Sequence, residues 1–526
     1  MSGKVTAVAG SFGRLWGRGH ESFGKDLRRI LQISGTGATT YLQGLVTCDL
    51  STDPMAPRPE PVDTKQPGLP KRLQNTGSAA VATDESMQDS PTYNTDTDNP
   101  MIEFSDKLRA TCFLDHKGRI VSDSLLWKMS DQEYYIDCPG SAADELLQHL
   151  KQYKLRRSKV TIQDLSDQLT SHVVFGTLNA QAPPPGYITA MDPRHPSLGM
   201  RVLGLSADTN GEDTKNAQAV ASVSERHEQF AELMSNTFPD SPGNYELVRR
   251  LAGVAEGTEL TGKVGIETNQ EFLNAVSFHK GCYLGQELTA RVHHTGAIRK
   301  RVLPLLLVDP FTQVPQAWNL ASNLQQGRQD KKFLPREEAA LPSRLPRLSV
   351  LTAGNLVAVT TGAIEPEGPA VDDEAQQEWD AMQKQMAAFV DSVEEDCQAG
   401  AKIVEKESGK TVGQVLSPPV KGTNVVLALM RLDSVGLTKG GTWSKVNKVK
   451  IGDGNHEFRY LPYLPLWWPE LDAETGKAKE ETDELEEVDE DEVREEEEAQ
   501  RGWKMPRLVF EEVPMNENEK PAEESK

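Results

Sequence analysis

Residues 280–287 read Lys280-Gly281-Cys282-Tyr283-Leu284-Gly285-Gln286-Glu287. This octapeptide places one cysteine between two glycines, with a lysine two residues before it. Gly281 and Gly285 allow left-handed backbone and close chain approach, so the spacing predicts a sharp, exposed turn at Cys282. A lysine so near to a thiol favours the thiolate, which is both the nucleophile and the metal ligand. The pattern predicts a reactive or metal-ligating thiol, although a lone cysteine is more often a small buried hydrophobe.

The polar residues that follow extend this pattern. Gln286 and Glu287 are placed to orient Lys280 or a ligand, and Arg291 follows Glu287 at the spacing of an ion pair. His293-His294 has the residue types of a metal pair. Adjacent residues on a strand face opposite sides, however, so the sequence favours two surface histidines over a metal site.

Composition excludes several classes of protein. The chain has 526 residues, 37% hydrophobic residues and a net charge of −22, and residues 470–526 alone carry 23 acidic against 8 basic side chains. Such a chain lacks the clustered Lys and Arg that nucleic-acid binding requires. No apolar run approaches the roughly 20 residues that span a bilayer. The 5 cysteines form no C-x-x-C pair, which argues against a disulfide framework or a self-contained zinc site.

The N-terminal part reads as a possible targeting segment followed by a mixed domain. Residues 1–24 are basic at the start and weakly resemble a mitochondrial presequence, with an ordinary chain start as the alternative. Strands and helices then mix across residues 25–301, an α+β pattern with a hairpin turn at residues 115–118. Residues 53–99 are predicted to be a disordered insertion and residues 207–223 a polar loop.

The C-terminal part reads as a small β-barrel and a tail. Residues 302–470 are predicted to form the barrel, with strands expected in the segments given at the end of this paragraph. Insertions are expected at 311–348 and 364–400, the second containing a helix over 374–393. Residues 471–526 are predicted to be a disordered acidic tail. The expected barrel strands are 302–308, 356–361, 411–417 and 425–432.

The octapeptide resembles the signature K-G-C-[FY]-x-G-Q-E of the YgfZ-like family. Residues 41–49 are similar to that family's F-L-Q-G-L-x-T-N-D, and residues 113–119 to its F-L-x-x-x-G-R. Residues 192–199 resemble its D-P-R-x-x-x-L-G motif, and residues 245–257 its Y-x-x-x-R-x-x-x-G-V-x-E-G motif. The resemblance implies an α+β, aminomethyltransferase-like fold: three subdomains in a ring around a central channel, the C-terminal one a small β-barrel.

The same resemblance implies a function in iron–sulfur cluster assembly. The family's mitochondrial branch assists maturation of [4Fe–4S] proteins in the matrix, as an assembly factor rather than an enzyme. The implied partners are iron–sulfur carriers and scaffolds of the A-type class, and [4Fe–4S] client proteins. A cluster normally takes four protein ligands, so Cys282 is expected to hold one corner of a transient cluster shared with a partner. The expected functional motif comprises Lys280, Gly281, Cys282, Tyr283, Gly285, Gln286, Glu287 and Arg291.

A folate-dependent one-carbon transferase is the alternative, with Cys282 or Asp123 as the reacting group. It implies tetrahydrofolate in the channel, near Arg249 and Asp123. Two positions depart from the transferase pattern. Ser122 stands where the transferases carry a catalytic aspartate, and Leu251 stands where a glutamate holds the pterin. A hydroxyl cannot supply the charge of a carboxylate, so the sequence favours the assembly factor.

Overall fold

The computed structural model describes most of the chain up to Lys479. Expectations for residues 1–18, for the insertion at 53–99, for most of the 207–223 loop, for most of the insertion at 311–348 and for residues 480–526 lie outside the described residues. No helix among the described residues is long and apolar enough to cross a membrane. The described residues are 19–50, 107–175, 186–205, 223–234, 243–294, 296–308, 345, 347–361, 373–438, 448–454 and 456–479.

Strands outnumber helices in the described residues. The strands are β1 (Gly19–Phe23), β2 (Arg28–Ser34), β3 (Leu108–Leu114), β4 (Ile120–Ser130), β5 (Glu133–Pro139), β6 (Thr161–Asp164), β7 (Thr170–Phe175), β8 (Tyr187–Met191), β9 (Met200–Gly204), β10 (Lys300–Val308), β11 (Arg347–Leu348), β12 (Lys402–Glu405), β13 (Thr411–Val415), β14 (Val425–Arg431), β15 (Lys448–Ile451), β16 (Phe458–Pro462) and β17 (Leu464–Pro465). The helices are α1 (Ala38–Gln43), α2 (Ala143–Gln152), α3 (Val223–Met234), α4 (Asn244–Leu251), α5 (Gln286–His294), α6 (Val350–Thr361) and α7 (Asp373–Asp396).

A five-stranded antiparallel sheet, in the order β3-β4-β5-β2-β6, forms the first layer. The predicted hairpin joins β3 to β4. Asp115 Oδ1 accepts the backbone N–H groups of Lys117 and Arg119 at 2.8 Å each, and Gly118 takes a left-handed φ of 78°. Apolar residues of α1 and α2 pack against this sheet. The sequence prediction of strands and helices in this region is confirmed.

A four-stranded sheet, in the order β1-β7-β9-β8, forms the second layer. Strand β1 pairs antiparallel with β7, from Gly19 opposite Phe175 to Phe23 opposite Ser171. This pairing corrects the boundary drawn at residue 24, because the chain is part of the folded sheet from Gly19 onward.

The C-terminal part contains a closed six-stranded barrel in the order β10-β14-β13-β12-β15-β16. The barrel confirms the predicted architecture, and β10 begins at Lys300, two residues before the predicted boundary. The strand predicted at residues 356–361 is wrong, because this segment is the second half of α6. Ala353, Leu356 and Val357 recur at helical spacing, so they share one face of α6 and pack on α4. On a strand, Leu356 and Val357 would face opposite sides. The helix predicted at residues 374–393 is confirmed by α7.

The first nine residues of the expected tail are part of the fold. Ile298 N–H donates to the carbonyl oxygen of Thr475 at 2.7 Å, and Lys477 Nζ donates to that of His293 at 2.6 Å. Leu471 forms a β-bridge with Ala478. Residues 471–479 therefore do not belong to a disordered tail, which corrects the boundary expected at residue 471.

Buried side chains join the three parts into one core. One apolar cluster combines Phe23 and Phe175 of the four-stranded sheet with Leu303 and Val426 of the barrel. A second cluster combines residues of the five-stranded sheet with Val302 and others of the barrel. The structure confirms the α+β class with its barrel, while the ring with a central channel stays a prediction from the resemblance.

Candidate functional site

The octapeptide lies against the loop that follows α1, residues 43–48. Leu284 N–H donates to the carbonyl oxygen of Gly44 at 2.9 Å, and Ser277 N–H donates to that of Thr47 at 2.9 Å. Val46 in turn forms an antiparallel bridge with Phe113 of β3. Two motifs that are far apart in sequence therefore meet at this place, and the five-stranded sheet supports both.

Lys280 directs its ammonium into the 43–48 loop. Nζ donates to the carbonyl oxygens of Gln43 at 2.8 Å, Val46 at 2.5 Å and Cys48 at 2.8 Å. The same atom lies 4.9 Å from the centre of the Tyr283 ring. Burial lowers the pKa of Lys280 to about 8. All three hydrogen bonds of the ammonium go to backbone carbonyls, so none of them shows the expected effect of Lys280 on the Cys282 thiol. That effect stays a prediction.

Gly285 is required by the backbone. Its φ is 79°, and a Cβ at this position would lie 2.4 Å from the carbonyl oxygen of Asp115 and 3.1 Å from Cα of Gly118. Gly118, at the tip of the β3–β4 hairpin, is equally close to the first turn of α5, since its Cβ would lie 2.7 Å from Cβ of Leu288. The hairpin thus fixes the position at which α5 starts.

Tyr283 and Gln286 close the turn from within. Tyr283 N–H donates to Gln286 Oε1 at 2.7 Å, so the glutamine side chain satisfies a backbone donor just before α5. Burial is the main cause that raises the pKa of Tyr283 to about 12, while a hydrogen bond with Thr289 opposes this. Tyr283 is therefore neutral at physiological pH, and its ring covers the Lys280 ammonium.

Three residues of the octapeptide make no contact that supports the fold in the described part of the chain. Gly281 has open space where a Cβ would lie, and its φ is not in the left-handed region, which corrects the expectation for this glycine. Cys282 is exposed, and neither its thiol nor the Glu287 carboxylate makes a hydrogen bond or ion pair with any other described residue. The ion pair expected between Glu287 and Arg291 is therefore not formed. Gly281, Cys282 and Glu287 together form the exposed part of the motif.

The other cysteines are of a different kind. All of them are buried, and burial raises the pKa of each thiol. A buried neutral thiol is a poor nucleophile and a poor metal ligand. Cys282 is the exposed thiol of the described residues; the buried ones are Cys48, Cys112, Cys138 and Cys397.

His293 and His294 lie at the end of α5 rather than on a strand. The His293 ring stacks on Phe278 with 3.7 Å between ring centres, which accounts for this residue by packing. No group of three or more His, Cys, Asp or Glu side chains is placed to hold a metal ion anywhere in the described residues. Cys282 therefore needs ligands from outside this part of the chain to hold a cluster.

A buried network of charges lies behind the 192–199 and 245–257 motifs. Arg194 pairs with Asp192 through two parallel bonds of 2.9 and 2.7 Å, and its Nη1 lies 2.6 Å from Glu256 Oε1. Arg201 reaches the same Asp192 at 2.9 Å, and Tyr245 donates its hydroxyl to Glu256 at 2.5 Å. Burial opposes ionisation of Glu256, but Arg194 and other arginines outweigh it and hold the pKa of that carboxyl well below its usual range.

Asp123 lies at the edge of this network. Its Oδ1 accepts the backbone N–H of Gly257 at 2.8 Å. Burial and then the charge of Glu256 raise the pKa of Asp123. Ser122, at the position of the transferases' catalytic aspartate, is buried and donates its hydroxyl to the backbone carbonyl of Asp123 at 2.9 Å.

Contacts within the chain explain the positions of Arg249 and Leu251, and neither residue needs a bound ligand as a partner. Arg249 Nη1 donates to Glu259 Oε2 at 2.7 Å and to the carbonyl oxygen of Val254 at 3.2 Å. Leu251 is fully buried in the apolar cluster between α4, α6 and the barrel. A glutamate at position 251 would therefore be an unpaired buried charge in an apolar cluster.

The sequence did not predict most of the contacts that support the octapeptide and the buried charge network. Lys280 could be assigned to the motif, but its carbonyl partners could not, because backbone acceptors leave no mark in a sequence. Arg201 and Glu259 lie outside the recognised motifs, and the one available signal was the charge of Arg201 in the otherwise apolar stretch 198–205. A charged residue in such a stretch indicates a buried partner of opposite charge.

Comparisons with known proteins agree with the motifs. A mitochondrial iron–sulfur cluster assembly factor IBA57 homologue of Pyricularia oryzae is 32% identical over 293 residues, 54% of this chain and 57% of that protein. Homologues of the same name from Yarrowia lipolytica and Dictyostelium discoideum are 25% and 29% identical, over 61% and 60% of this chain and 70% and 69% of theirs. The crystal structure of glycine cleavage system aminomethyltransferase T from Bartonella henselae aligns with a TM-score of 0.45 and 9% identity, covering 89% of this chain and 91% of that one.

No family model matches the chain. The match to the first relative spans little more than half of that protein, 57% of its length. The matches to the relatives from Yarrowia lipolytica and Dictyostelium discoideum extend over 371 and 339 residues. The chain is therefore similar to mitochondrial iron–sulfur cluster assembly factor IBA57 homologues over 54–61% of its length.

Proposed function

We propose that this chain is an iron–sulfur cluster assembly factor that acts in the maturation of [4Fe–4S] proteins in the mitochondrial matrix. The observation that carries the proposal is the contrast within the octapeptide. Lys280, Tyr283, Gly285 and Gln286 each make contacts that hold the turn, whereas Cys282 is exposed and makes no hydrogen bond or ion pair with the described residues. A fold that builds such a support around one free thiol is consistent with a ligand offered to another molecule.

The chemistry of the cargo fits one thiolate from this chain. An iron–sulfur cluster normally takes four protein ligands, so Cys282 supplies one and a partner supplies the others. The partner is an iron–sulfur carrier of the A-type class or a [4Fe–4S] client, since such proteins present the remaining thiolates. Names of the relatives support this proposal, because each is an iron–sulfur cluster assembly factor described as mitochondrial.

Two observations oppose the alternative, a folate-dependent transferase. Tetrahydrofolate would need a free guanidinium or carboxylate for its pterin, but Arg249 is paired with Glu259 and Leu251 is apolar and buried. Ser122 cannot act as a catalytic carboxylate, and its hydroxyl is bonded to the backbone. The residues tested do not fit the folate, so we assign no role to it and regard the chain as an assembly factor rather than an enzyme.

The experiment uses a purified A-type carrier loaded with its cluster. Wild type and the Cys282→Ser variant are each mixed with the carrier, and the complex is isolated by gel filtration for iron analysis and visible absorption. We expect the wild-type complex to retain iron with altered cluster absorption, and the variant to lose it. Wild type with Cys282 alkylated by iodoacetamide is the matched control and should behave like the variant. Equal iron in all three complexes would contradict the proposal.

A further inference from the structure

The 43–48 loop presents an unusual concentration of backbone acceptors to the octapeptide. Five of its six carbonyl oxygens accept hydrogen bonds from residues 277–284: three from Lys280 Nζ, one from Leu284 N–H and one from Ser277 N–H. Part of this follows from helix geometry, because α1 ends at Gln43 and the last carbonyls of a helix have no partner within it. A cation at that end also interacts favourably with the helix dipole.

The Lys280 ammonium matches these acceptors fully. An ammonium has three protons, and each has its own carbonyl acceptor at 2.5–2.8 Å. The Tyr283 ring, 4.9 Å from Nζ, covers the group on a further side. An arginine would carry the same charge, but its planar fork cannot direct three donors toward three converging oxygens. The site is therefore selective for the shape of an ammonium as well as for its charge.

These contacts hold the cysteine turn from both sides. The chain is tied to the loop at Lys280 and again at Leu284, and Cys282 is midway between the two ties. Among the residues that the structure describes, Cys282 itself makes no hydrogen bond, so its position depends on these ties. Loss of the Lys280 contacts would leave Cys282 held only from its flanks, by Ser277, the Phe278–His293 stack, Tyr283 and Leu284, without a direct tie to the 43–48 loop between Ser277 and Leu284.

We propose that Lys280 is a positioning residue, which locks the Cys282 turn onto the 43–48 loop and does not act by stabilising the thiolate. The inference deepens the proposed function, since it rests on Cys282 being the functional thiol, but its test is made on the free chain without a cluster. Failure of this inference would leave the proposed function standing, because the latter depends on the sulfur of Cys282 and not on the charge beside it.

The test compares Lys280→Met and Lys280→Arg with wild type, and Lys421→Met, an exposed lysine of the barrel, is the matched control. The two readouts are amide hydrogen exchange at Ser277 and Leu284, and the rate of Cys282 alkylation by iodoacetamide as a function of pH. Both Lys280 variants should exchange these amides roughly tenfold faster or more, as expected for a lost charge-assisted hydrogen bond. The rate of alkylation at high pH, where the thiolate is complete, should change, while the pH midpoint stays that of wild type.

Two results would overturn the proposal. Unchanged amide exchange in a folded Lys280→Arg or Lys280→Met chain would show that the contacts do not hold the turn. An upward shift of the alkylation midpoint in Lys280→Met, with Lys280→Arg like wild type, would show that the charge acts on the thiolate. If Lys280→Met does not unfold cooperatively, the Lys280→Arg arm decides, because it keeps the charge and removes only the geometry.

Discussion

The backbone of Gly285 lies directly on that of Gly118, so that a Cβ on Gly285 would lie 3.1 Å from Cα of Gly118. Gly118 is the left-handed residue of the β3–β4 hairpin, and Gly285 is the left-handed residue just before α5. Neither position accepts a larger side chain without moving the other. The hairpin and the octapeptide are therefore one structural unit, and Cys282 is held three residues before their contact.

Replacement of Gly285 by alanine should be strongly destabilising. The added Cβ would lie 2.4 Å from the carbonyl oxygen of Asp115, and the φ of 79° would be strained in any case. We expect the free energy of unfolding to fall by at least about 2 kcal/mol, measured by urea denaturation. Gly281→Ala is the control within the same motif, and its effect should stay within about 0.5 kcal/mol because the site is open. Equal effects of the two substitutions would contradict the geometry of the turn.

Stability should fall in acid because of the buried carboxylates. Burial opposes ionisation of Asp192 and Glu256, yet their arginine partners outweigh it, and the pKa of each carboxyl lies below its ordinary value. Each therefore binds a proton less readily when folded, so its contribution is present above about pH 4–5 and is lost as pH falls through the lower, folded-state pKa. Asp123 has the opposite sign, because its pKa is raised, and it offsets part of this loss.

Urea midpoints measured from pH 7 down to about pH 3 check this dependence. Glu256→Gln removes the charge that Arg194 and Arg201 share. We expect it to cost about 3–5 kcal/mol at pH 7, since it leaves buried cations without their partner, and to flatten the acid limb of the pH profile. An acid limb as steep as that of wild type would show that Glu256 does not contribute to it.

Asp123→Asn separates the assembly factor from the transferase. An asparagine keeps an acceptor for the Gly257 N–H and removes a charge that burial and Glu256 both disfavour. Stability at pH 7 should be unchanged or increased by up to about 1 kcal/mol, and cluster-dependent growth should be retained. Asp137→Asn is the contrasting control, because Asp137 pairs with Arg28 at 2.7 Å in a buried site and should cost about 2 kcal/mol or more. Loss of function in a stable Asp123→Asn chain would favour the transferase.

The sequence predicted local structure well where one periodicity dominated. The strands around the 115–118 hairpin, the helix at 373–396 and the first barrel strand agree with their apolar patterns. The strand predicted at 356–361 failed because a short run of apolar residues fits a strand and a buried helix equally. Strand β1 was missed because Gly19–Phe23 contains His20 and Glu21, whose burial depends on partners from other elements.

The sequence was enough to locate the candidate site but not to predict the contacts within it. The octapeptide gave Cys282 and its neighbours, since residue types and spacing suffice for that. The contacts of Lys280 with the carbonyls of Gln43, Val46 and Cys48 were not predictable, because they depend on where two distant segments meet. The resemblance places a pterin-binding glutamate at the position of Leu251, and only the structure shows that this position faces an apolar core.

The central claim is that the exposed Cys282 sulfur is the functional group of this chain. Cys282→Ser should leave the melting temperature nearly unchanged, because the thiol is exposed and bonded to nothing in the described chain. A serine hydroxyl ionises too poorly near neutral pH to replace a thiolate as ligand or nucleophile. Function should therefore be lost without loss of the fold.

Complementation of a strain that lacks its own family member, read through the activity of an aconitase-type [4Fe–4S] enzyme, tests this claim most directly. Wild type should restore that activity, and Cys282→Ser, expressed to the same level with an unchanged melting temperature, should leave it at the level of the empty vector. Full restoration of the [4Fe–4S] activity by the folded Cys282→Ser chain would contradict the account.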